Sequence, residues 1–153
     1  MRVFVAAFAA MLLPACVTVN ATDVTARVNV QPSDLEAMAI VQARNTYYEQ
    51  LVAEQDVDGL IALHTEDYAI FRPGKANVEG AEAHRRYWET AFETMDGLSI
   101  DEKTVFFAGP DTIISHDFYQ TFSDGDQIGG GQSVIVWKKI DGGVWLVHWE
   151  MFN

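Results

Sequence analysis

The stretch that decides the fold is residues 98–153, LSIDEKTVFFAGPDTIISHDFYQTFSDGDQIGGGQSVIVWKKIDGGVWLVHWEMFN. It contains four strand-like segments rich in β-branched and aromatic residues, at about 98–108, 111–123, 130–140 and 144–152. The residues between them are typical of hairpin connections: Gly109-Pro110, Asp124-Gly125-Asp126 and Asp141-Gly142-Gly143. Four strands joined in this way predict an antiparallel meander.

The segment before the meander has helical character. Ser33–Glu36 has the spacing of a capping box, and apolar residues at helical spacing follow it as far as a break near residue 55. Asp58 is placed to cap a second, short helix, a strand is expected at 68–72, and a third helix is expected after Gly80. Helices followed by a meander predict an α+β fold, with three N-terminal helices packed on a curved, mainly antiparallel sheet.

The composition is that of one acidic domain. The chain has 153 residues, of which 49% are hydrophobic, and its 10 Lys and Arg against 22 Asp and Glu give a formal net charge of -12. This length and hydrophobic content suit a single domain with its own core. Because such a charge repels nucleic acid at long range, we expect no nucleic-acid partner.

The N-terminus is typical of a secretory signal peptide. An apolar run from Val3 to Leu13 follows a short basic start, and it is too short for a transmembrane segment, which needs about 20 residues. Cleavage after Ala21 would release a soluble protein; alternatively Cys16, in a segment that resembles a bacterial lipobox, would carry a lipid anchor. We therefore predict an exported protein, periplasmic or secreted, with a signal peptide (1–21), a linker (22–32) and a folded domain (33–153).

The order of the motifs resembles a known family. Tyr48 is followed by AEQDVDGLIALHTEDYAIFRPG (53–74), VEGAEAHRRYWE (78–89) and VIVWKKIDGGVWLVHWEMFN (134–153). These blocks are similar to those of SnoaL-like cyclases and ketosteroid isomerases, within the nuclear transport factor 2-like superfamily. The resemblance covers about residues 33–153. It implies a cone-shaped barrel, in which a highly curved sheet wraps around a pocket closed by three helices, and it implies a homodimer.

The resemblance to the isomerase gives Tyr48 a role and changes the role of position 72. Tyr48 lies where the isomerase places the tyrosine that donates to the developing oxyanion. The isomerase's general base falls on Arg72, and a guanidinium cannot accept a proton at neutral pH. The isomerase's second acid should fall near residues 133–135, where no acid occurs. We therefore do not expect steroid isomerisation by that mechanism, and Arg72 becomes a candidate ligand for an anion.

Strand alternation and the family's register select the remaining candidates. In the last strand Leu146, His148, Glu150 and Phe152 share the face that the register points inward. The same reasoning predicts that His116, Phe118 and Gln120 face the pocket, and that His84 and Tyr87 lie on the pocket side of the third helix. The candidate catalytic residues are Tyr48, His148 and Glu150. The ligand-binding candidates are Arg72, His84, Tyr87, His116 and Phe118.

Each candidate also has a purely structural interpretation. Tyrosines are common in cores, Arg72 could neutralise Glu150 or Glu66, and His148 could simply bond Glu150. A metal site built from His116, His148 and Glu150 lacks any tight signature, so we expect no metal. We also expect no cofactor, since the sequence has no phosphate loop, nucleophile elbow or dinucleotide fingerprint.

Two function classes remain open. In the first, an exported domain binds a small polar or anionic molecule without changing it. The alternative is a lyase, isomerase or cyclase-type enzyme that uses acid–base chemistry on a small oxygenated substrate, with His148 or Glu150 as base and Tyr48 or Arg72 stabilising oxyanion charge.

The opposite face of the last strand suggests the homodimer independently. Trp145, Val147, Trp149 and Met151 alternate with the predicted pocket residues, so they would form an apolar outer patch. Such a patch is expected to be covered by a second copy of the chain.

Export can be tested by intact-mass analysis of the protein purified from its native host. We expect a mass that lacks residues 1–21 if a signal peptidase cleaves after Ala21. A mass that starts at Cys16 with added acyl chains would indicate the lipid anchor instead. A full-length chain in the cytoplasm would contradict both routes.

Overall fold

The computed structural model describes residues 32–153, so the expected signal peptide, Cys16 and the linker up to residue 31 lie outside the described residues. The helices are α1 (Pro32–Ala53), α2 (Val57–Ala62) and α3 (Gly80–Ala91). The strands are β1 (His64–Phe71), β2 (Val78–Glu79), β3 (Gly97–Gly109), β4 (Thr112–Ser123), β5 (Asp126–Lys139) and β6 (Trp145–Phe152).

The helices differ from the prediction mainly at their first residues. α1 begins at Pro32, which suits the first position because proline has no N–H to lose there, so Ser33 lies inside the helix and not at its cap. The cap of α2 is Asp56, whose carboxylate accepts from the backbone N–H of Gly59 at 2.9 Å. The predicted cap, Asp58, instead pairs with Arg85 of α3 at 2.5 Å. None of the helices within residues 32–153 is long and apolar enough to cross a membrane.

The six strands form one sheet in the order β2-β1-β6-β5-β4-β3. β3 to β6 pair in antiparallel fashion along the chain, which confirms the predicted meander, and β1 joins it by pairing in parallel with β6. The α+β class and the cone-shaped architecture are therefore confirmed. The sheet curves but stays open, because β2 and β3 are edge strands and do not pair with each other.

A β-bulge in β6 changes which of its residues face the core. Val136 pairs with Trp149 and Trp137 pairs with Val147, so His148 has no partner residue in β5. One extra residue on one strand reverses the alternation of side chains beyond it. Trp145 and Val147 before the bulge therefore share the inner face with Glu150 after it.

The core fills the space between the helices and this inner face. One cluster contains Trp137, Trp145 and Val147 under the first half of α1. A second lies where α1, α2 and α3 meet, and it includes Tyr48, Leu60 and Trp88. Because Trp145 and Val147 are 7% and 3% exposed, the predicted outer patch that included them is wrong for these two residues.

Candidate functional site

A small cavity lies between the inner face of the sheet and the helices. Its free volume is about 60 Å³, enough for a few water molecules or a compact organic group, since one water needs roughly 10–15 Å³ on this measure. Most of its wall is apolar, from Trp88, Met95, Leu98, Ile100, Ile135 and Phe152. Its polar lining consists of Tyr48, Tyr87, Tyr119, Thr121, Ser133 and Glu150. The cavity therefore has the character of a small-molecule site, apolar with a few polar groups.

Three of the polar groups are available to a ligand. Within residues 34–153, no hydrogen bond joins the hydroxyl of Tyr48, the hydroxyl of Tyr87 or the carboxyl of Glu150 to another side chain or to the backbone. By contrast, the Tyr119 hydroxyl donates to the main-chain oxygen of Asn153 at 2.7 Å. The first three groups come from α1, α3 and β6, so the cavity brings donors and an acid together from three elements.

The acid has unusual protonation behaviour. Burial, and to a smaller extent the negative charge of Asp117, together raise the pKa of Glu150 from 4.5 to about 7. Burial has this effect because an ionised carboxyl loses hydration in an apolar cavity. Glu150 can therefore both release and accept a proton near neutral pH, which is the property of a general acid or base.

The tyrosines around the acid are held in their protonated form. Burial raises the pKa of Tyr48 well above 10, and the charge of Glu150 adds to that effect. The same two causes, in the same order, raise the pKa of Tyr87. Both hydroxyls therefore keep their protons over the whole neutral range and can serve as hydrogen-bond donors.

His148 does not face this cavity, so its predicted orientation is wrong. It lies at the β-bulge, where its Nδ1 is 3.0 Å from the hydroxyl of Thr65 and 3.4 Å from a carboxylate oxygen of Asp67. Its ring stacks on that of Trp149, which is 48% exposed. The regular alternation that placed His148 beside Glu150 fails because of the extra residue.

His116 and Phe118 also lie on the other side of the sheet from the one predicted. The buried residues of β4 are Ile113, Ser115 and Asp117, so the intervening His116 and Phe118 face outward. His116 is 3.0 Å from Gln132 through its Nε2, and Phe118 is 41% exposed. β4 carries apolar residues on both faces, and no signal in the sequence selects between them. For the same reason Tyr119 and Asp117, which are on the inner face, could not be predicted from the sequence pattern.

His84 is buried behind the cavity and does not line it. Its Nε2 accepts from the indole N–H of Trp88 at 2.8 Å, and its ring lies 4.2 Å from that of His64. His64, predicted to end the short helix, is the first residue of β1, and its Nδ1 is 2.7 Å from the carbonyl oxygen of Leu60. Burial lowers the pKa of His84 to about 2 and that of His64 to about 4. Both rings are therefore neutral packing groups at physiological pH.

Arg72 lies just after β1, at the rim and outside the cavity. Its Nη2 and Nε donate to the carbonyl oxygen of Ala76 at 2.6 and 3.2 Å, and its guanidinium lies 5.5 Å from the centre of the Tyr87 ring. Among the described residues it forms no ion pair with Glu150 or Glu66. It lines a separate open depression with Lys75, and Tyr87 and Phe152 form the wall between that depression and the cavity.

The three residues proposed as metal ligands are not brought together. His116 faces outward, His148 lies at the bulge, and only Glu150 reaches the cavity. Within the described part of the chain no group of three or more His, Cys, Asp or Glu is placed to hold a metal ion. Of the eight candidate site residues, Tyr48, Tyr87 and Glu150 line the cavity, and their roles stay predictions.

The open, curved sheet, the three helices and the cavity between them define a cone-shaped domain of the nuclear transport factor 2-like class. Comparison with known families agrees, since the profile of the SnoaL-like domain matches residues 45–150. The chain belongs to this SnoaL-like family.

Solved structures support the same fold. A ketosteroid isomerase-like protein from Erwinia carotovora atroseptica is 19% identical, with a TM-score of 0.64 over 76% of this chain and 95% of that one. An NTF-2 like protein of unknown function from Shewanella oneidensis is 12% identical, with a TM-score of 0.65 over 75% and 97% of the two chains. A putative aromatic ring hydroxylase from Novosphingobium aromaticivorans is 17% identical, with a TM-score of 0.63 over 78% and 89%. At these identities the likeness shows the fold alone. No curated protein matches the chain.

The lowered pKa of His64 predicts a specific pH dependence of stability. The unfolded chain binds a proton at this ring below about pH 6.5, whereas the folded protein does so only near pH 4. The stability contributed by the neutral ring is therefore complete above pH 6.5 and is lost as the pH falls toward 4. Glutamine can replace the donor to Leu60 but cannot be protonated. The destabilisation caused by His64→Gln should thus be smaller at pH 4.5 than at pH 7.5, by on the order of 2–3 kcal/mol.

Urea unfolding at the two pH values measures this difference. The matched control is Glu150→Gln, for which the sign is opposite. Its raised pKa means that the natural carboxyl costs stability as the pH rises from about 4.5 to 7, so the glutamine variant should gain relative stability at the higher pH. Equal effects of His64→Gln at both pH values would contradict the neutral buried ring.

Proposed function

We propose that the cavity binds a compact, neutral, oxygenated molecule and that Glu150 exchanges a proton with it. The observation that carries this proposal is the Glu150 carboxyl, which lines an apolar cavity with no hydrogen-bond partner among the described residues and has a pKa of about 7. A carboxyl that loses hydration in an apolar cavity without gaining a hydrogen bond is costly, which favours a functional over a structural interpretation.

The chemistry follows from the groups around the ligand. The ionised carboxylate of Glu150 would take a proton from a carbon next to a carbonyl group, and the C–H bonding electrons would move so that negative charge develops on the carbonyl oxygen. Tyr48 and Tyr87 would donate hydrogen bonds to that oxygen. Return of the proton from Glu150 to the same or another carbon completes an exchange or an isomerisation and regenerates the base.

The charge of the lining favours a neutral ligand. The cavity contains one carboxyl, and none of its lining residues is a cation. The anionic ligand expected from Arg72 would instead bind in the open depression shared with Lys75. Because that guanidinium already donates to Ala76 and is in contact with water, an anion there would gain less than in a shielded site.

The non-catalytic alternative uses the same cavity. A domain that only carries its ligand would bind through Tyr48, Tyr87 and the apolar wall, with Glu150 protonated as a donor. The raised pKa of Glu150 favours the catalytic class, because simple binding of a neutral molecule does not need a group that changes charge near pH 7.

Hydrogen–deuterium exchange in a small ketone tests the proposal. The purified domain is mixed with acetone, a ketone compact enough for this cavity, in deuterated buffer, and NMR follows loss of the protons next to the carbonyl. We expect exchange above the buffer rate that rises with pH through about 7, as Glu150 ionises. Glu150→Gln should remove it, by about 10²–10⁴-fold. Tyr48→Phe should slow it by about 10²–10³-fold, the effect of losing one donor to an oxyanion.

The controls separate the two classes. Thr65→Ala changes a residue outside the cavity and should leave the rate unaltered. Binding of the ketone without exchange, seen as chemical-shift changes at cavity residues, would support the non-catalytic class. Exchange that persists in Glu150→Gln would contradict the assigned base. Titration of benzoate into the natural protein and into Arg72→Ala tests the alternative that an anion binds at Arg72.

We also propose that the protein is exported and that two copies associate through the outer face of the sheet. Export is supported by the character of residues 1–21.

Association is supported by an outer apolar patch formed by Phe106, Val134, Trp149 and Met151, which are 40–56% exposed. Val134 pairs with Met151, and the row from Trp149 through Val136 and Ile114 ends at Phe106, so the patch is continuous across four strands. A second copy can cover it symmetrically.

Light scattering of the domain at micromolar concentration tests the association. We expect the mass of a dimer, and Trp149→Glu should shift it toward the monomer because a buried charge at the contact is unfavourable. Ile140→Glu is the matched control, since Ile140 is similarly exposed but lies beyond the end of β5 and outside the patch. A monomeric natural domain would contradict the proposal.

A further inference from the structure

Asp117 is a buried acid that has no part in the proposed proton exchange. It lies on the inner face of β4 and is fully buried. Its Oδ2 accepts from the hydroxyl of Ser115 at 2.8 Å, and that hydroxyl oxygen in turn accepts from the indole N–H of Trp137 at 3.1 Å. Its Oδ1 has no hydrogen-bond partner. Buried carboxyl oxygens in folded proteins nearly always have partners, so this one needs an explanation.

The sheet places Asp117 near Glu150 without direct contact with the cavity. Ser133 of β5 pairs with Asp117 on one side, while Ile135, two residues along on the same face, pairs with Glu150 on the other. The two acids are therefore on either side of β5 and both point to its inner face, which is concave. Ser133 lies between Asp117 and the cavity, and its side chain lines that cavity.

The charges around the two acids are mostly negative. Those that act on Asp117 are Glu102 and Asp101 of β3, which raise its pKa, and His116 on the outer face of its own strand, which lowers it. Those that face Glu150 are Asp117 and the tyrosines Tyr48, Tyr68, Tyr87 and Tyr119 from α1, β1, α3 and β4. On the α1 side, Asn45 donates to Glu102 at 2.7 Å and so does not neutralise the acids. Among the groups of the described residues that act on Asp117 or Glu150, none on the inner face is a cation, so the repulsion between the two acids is only weakly offset.

We propose that Asp117 is a positioning residue for Glu150: its buried carboxyl repels the charge of Glu150 across β5 and thereby sets the pH range in which Glu150 accepts a proton. This inference rests on the proposed function, because it concerns the same acid. It assigns to Asp117 no contact with the ligand.

The protonation behaviour of the pair agrees with this geometry. Burial raises the pKa of Asp117 from 3.8 to about 6, against the opposing effect of the Ser115 hydroxyl. When two acids interact and their pKa values are similar, the pair loses its two protons in two steps, and neither step can be assigned to one acid alone. The first proton leaves without a charged neighbour and the second leaves against one. Between the two steps the pair carries a single negative charge, and loss of Asp117 would allow Glu150 to ionise earlier.

The test is a carbon-13 NMR titration of the Glu150 carboxyl in protein labelled at glutamate side chains, with Glu150→Gln to assign the signal. We expect a midpoint near pH 7 in the natural protein. In Asp117→Asn the midpoint should fall by about half a pH unit or more, because one charge has been removed from a low-dielectric environment. Asp101→Asn, which removes an exposed acid from β3, should leave the midpoint in place.

A second variant protects the test against misfolding of Asp117→Asn. Ser115→Ala removes the donor that favours the charged form of Asp117, so it should lower the Glu150 midpoint in the same direction and by less. A natural midpoint near 4.5 would overturn the proposed function. A raised natural midpoint that does not move in either folded variant would overturn the role of Asp117 and leave the proposed function intact. A downward shift in Asp117→Asn supports the inference, and a merely structural role for Asp117 would not produce it.

Discussion

The bulge at His148 is the constraint on which both the core and the cavity depend. In a regular strand Val147 and Glu150 would face opposite sides of the sheet, because Glu150 lies three positions after Val147 and side chains alternate at every position. The extra residue lets Val147 pack in the core with Trp137 while Glu150, three positions later, reaches the cavity. The side chain of the extra residue, His148, points toward Thr65 and Asp67 of β1. This segment of β1 is also irregular, because its pairing with β6 shifts between His64 and Ala69. Two adjacent irregularities thus reconcile an apolar core at one end of β6 with an acid at the other.

Two kinds of buried titratable group have opposite effects on stability in the same pH range. The pKa values of His64 and His84 are lowered by burial, so the neutral rings favour folding above about pH 6.5. The pKa values of Glu150 and Asp117 are raised, so their protonated forms favour folding below the pH at which these acids ionise in the unfolded chain. From about pH 4.5 to 6.5 the unfolded chain binds more protons at the rings and fewer at the acids than the folded protein does. The two contributions therefore largely cancel, and the pH dependence of the natural protein hides the strength of each.

The sequence predicted the parts of the structure that depend on local patterns. The Gly, Pro and Asp turns between strands, the helix periodicity and the order of the blocks led to the meander, the three helices and the family. Tyr48 and Tyr87 were predicted at the cavity because they lie on helices with regular spacing. Glu150 was predicted there because the bulge comes before it in β6 and the alternation is regular from Glu150 onward. The predicted orientation of His148 is wrong because a bulge in β6 has no local signal in the sequence when apolar residues flank it on both sides. The predicted orientation of His116 and Phe118 is wrong because β4 has apolar residues on both faces. Only the packing of Ile113 against Trp137 and Trp145 determines which face of β4 is the inner face.

Arg72 occupies the position to which the resemblance assigns a base, but it does not line the cavity. At the position where the isomerase has its base, this chain has a guanidinium that turns away to Ala76 and stacks near Tyr87, so it neither supplies nor neutralises charge inside. The only carboxyl that lines the cavity comes instead from β6, and the neighbouring acid Asp117 comes from β4. Glu150 pairs with Ile70 of β1, so it lies on the strand beside the one that leads to position 72. From there it would approach a bound ligand from a different direction than an acid at position 72. The same tyrosine at position 48 would then stabilise a different carbonyl orientation. The proposed proton exchange would therefore act on a smaller and differently placed molecule than a steroid, in agreement with the limited volume of about 60 Å³.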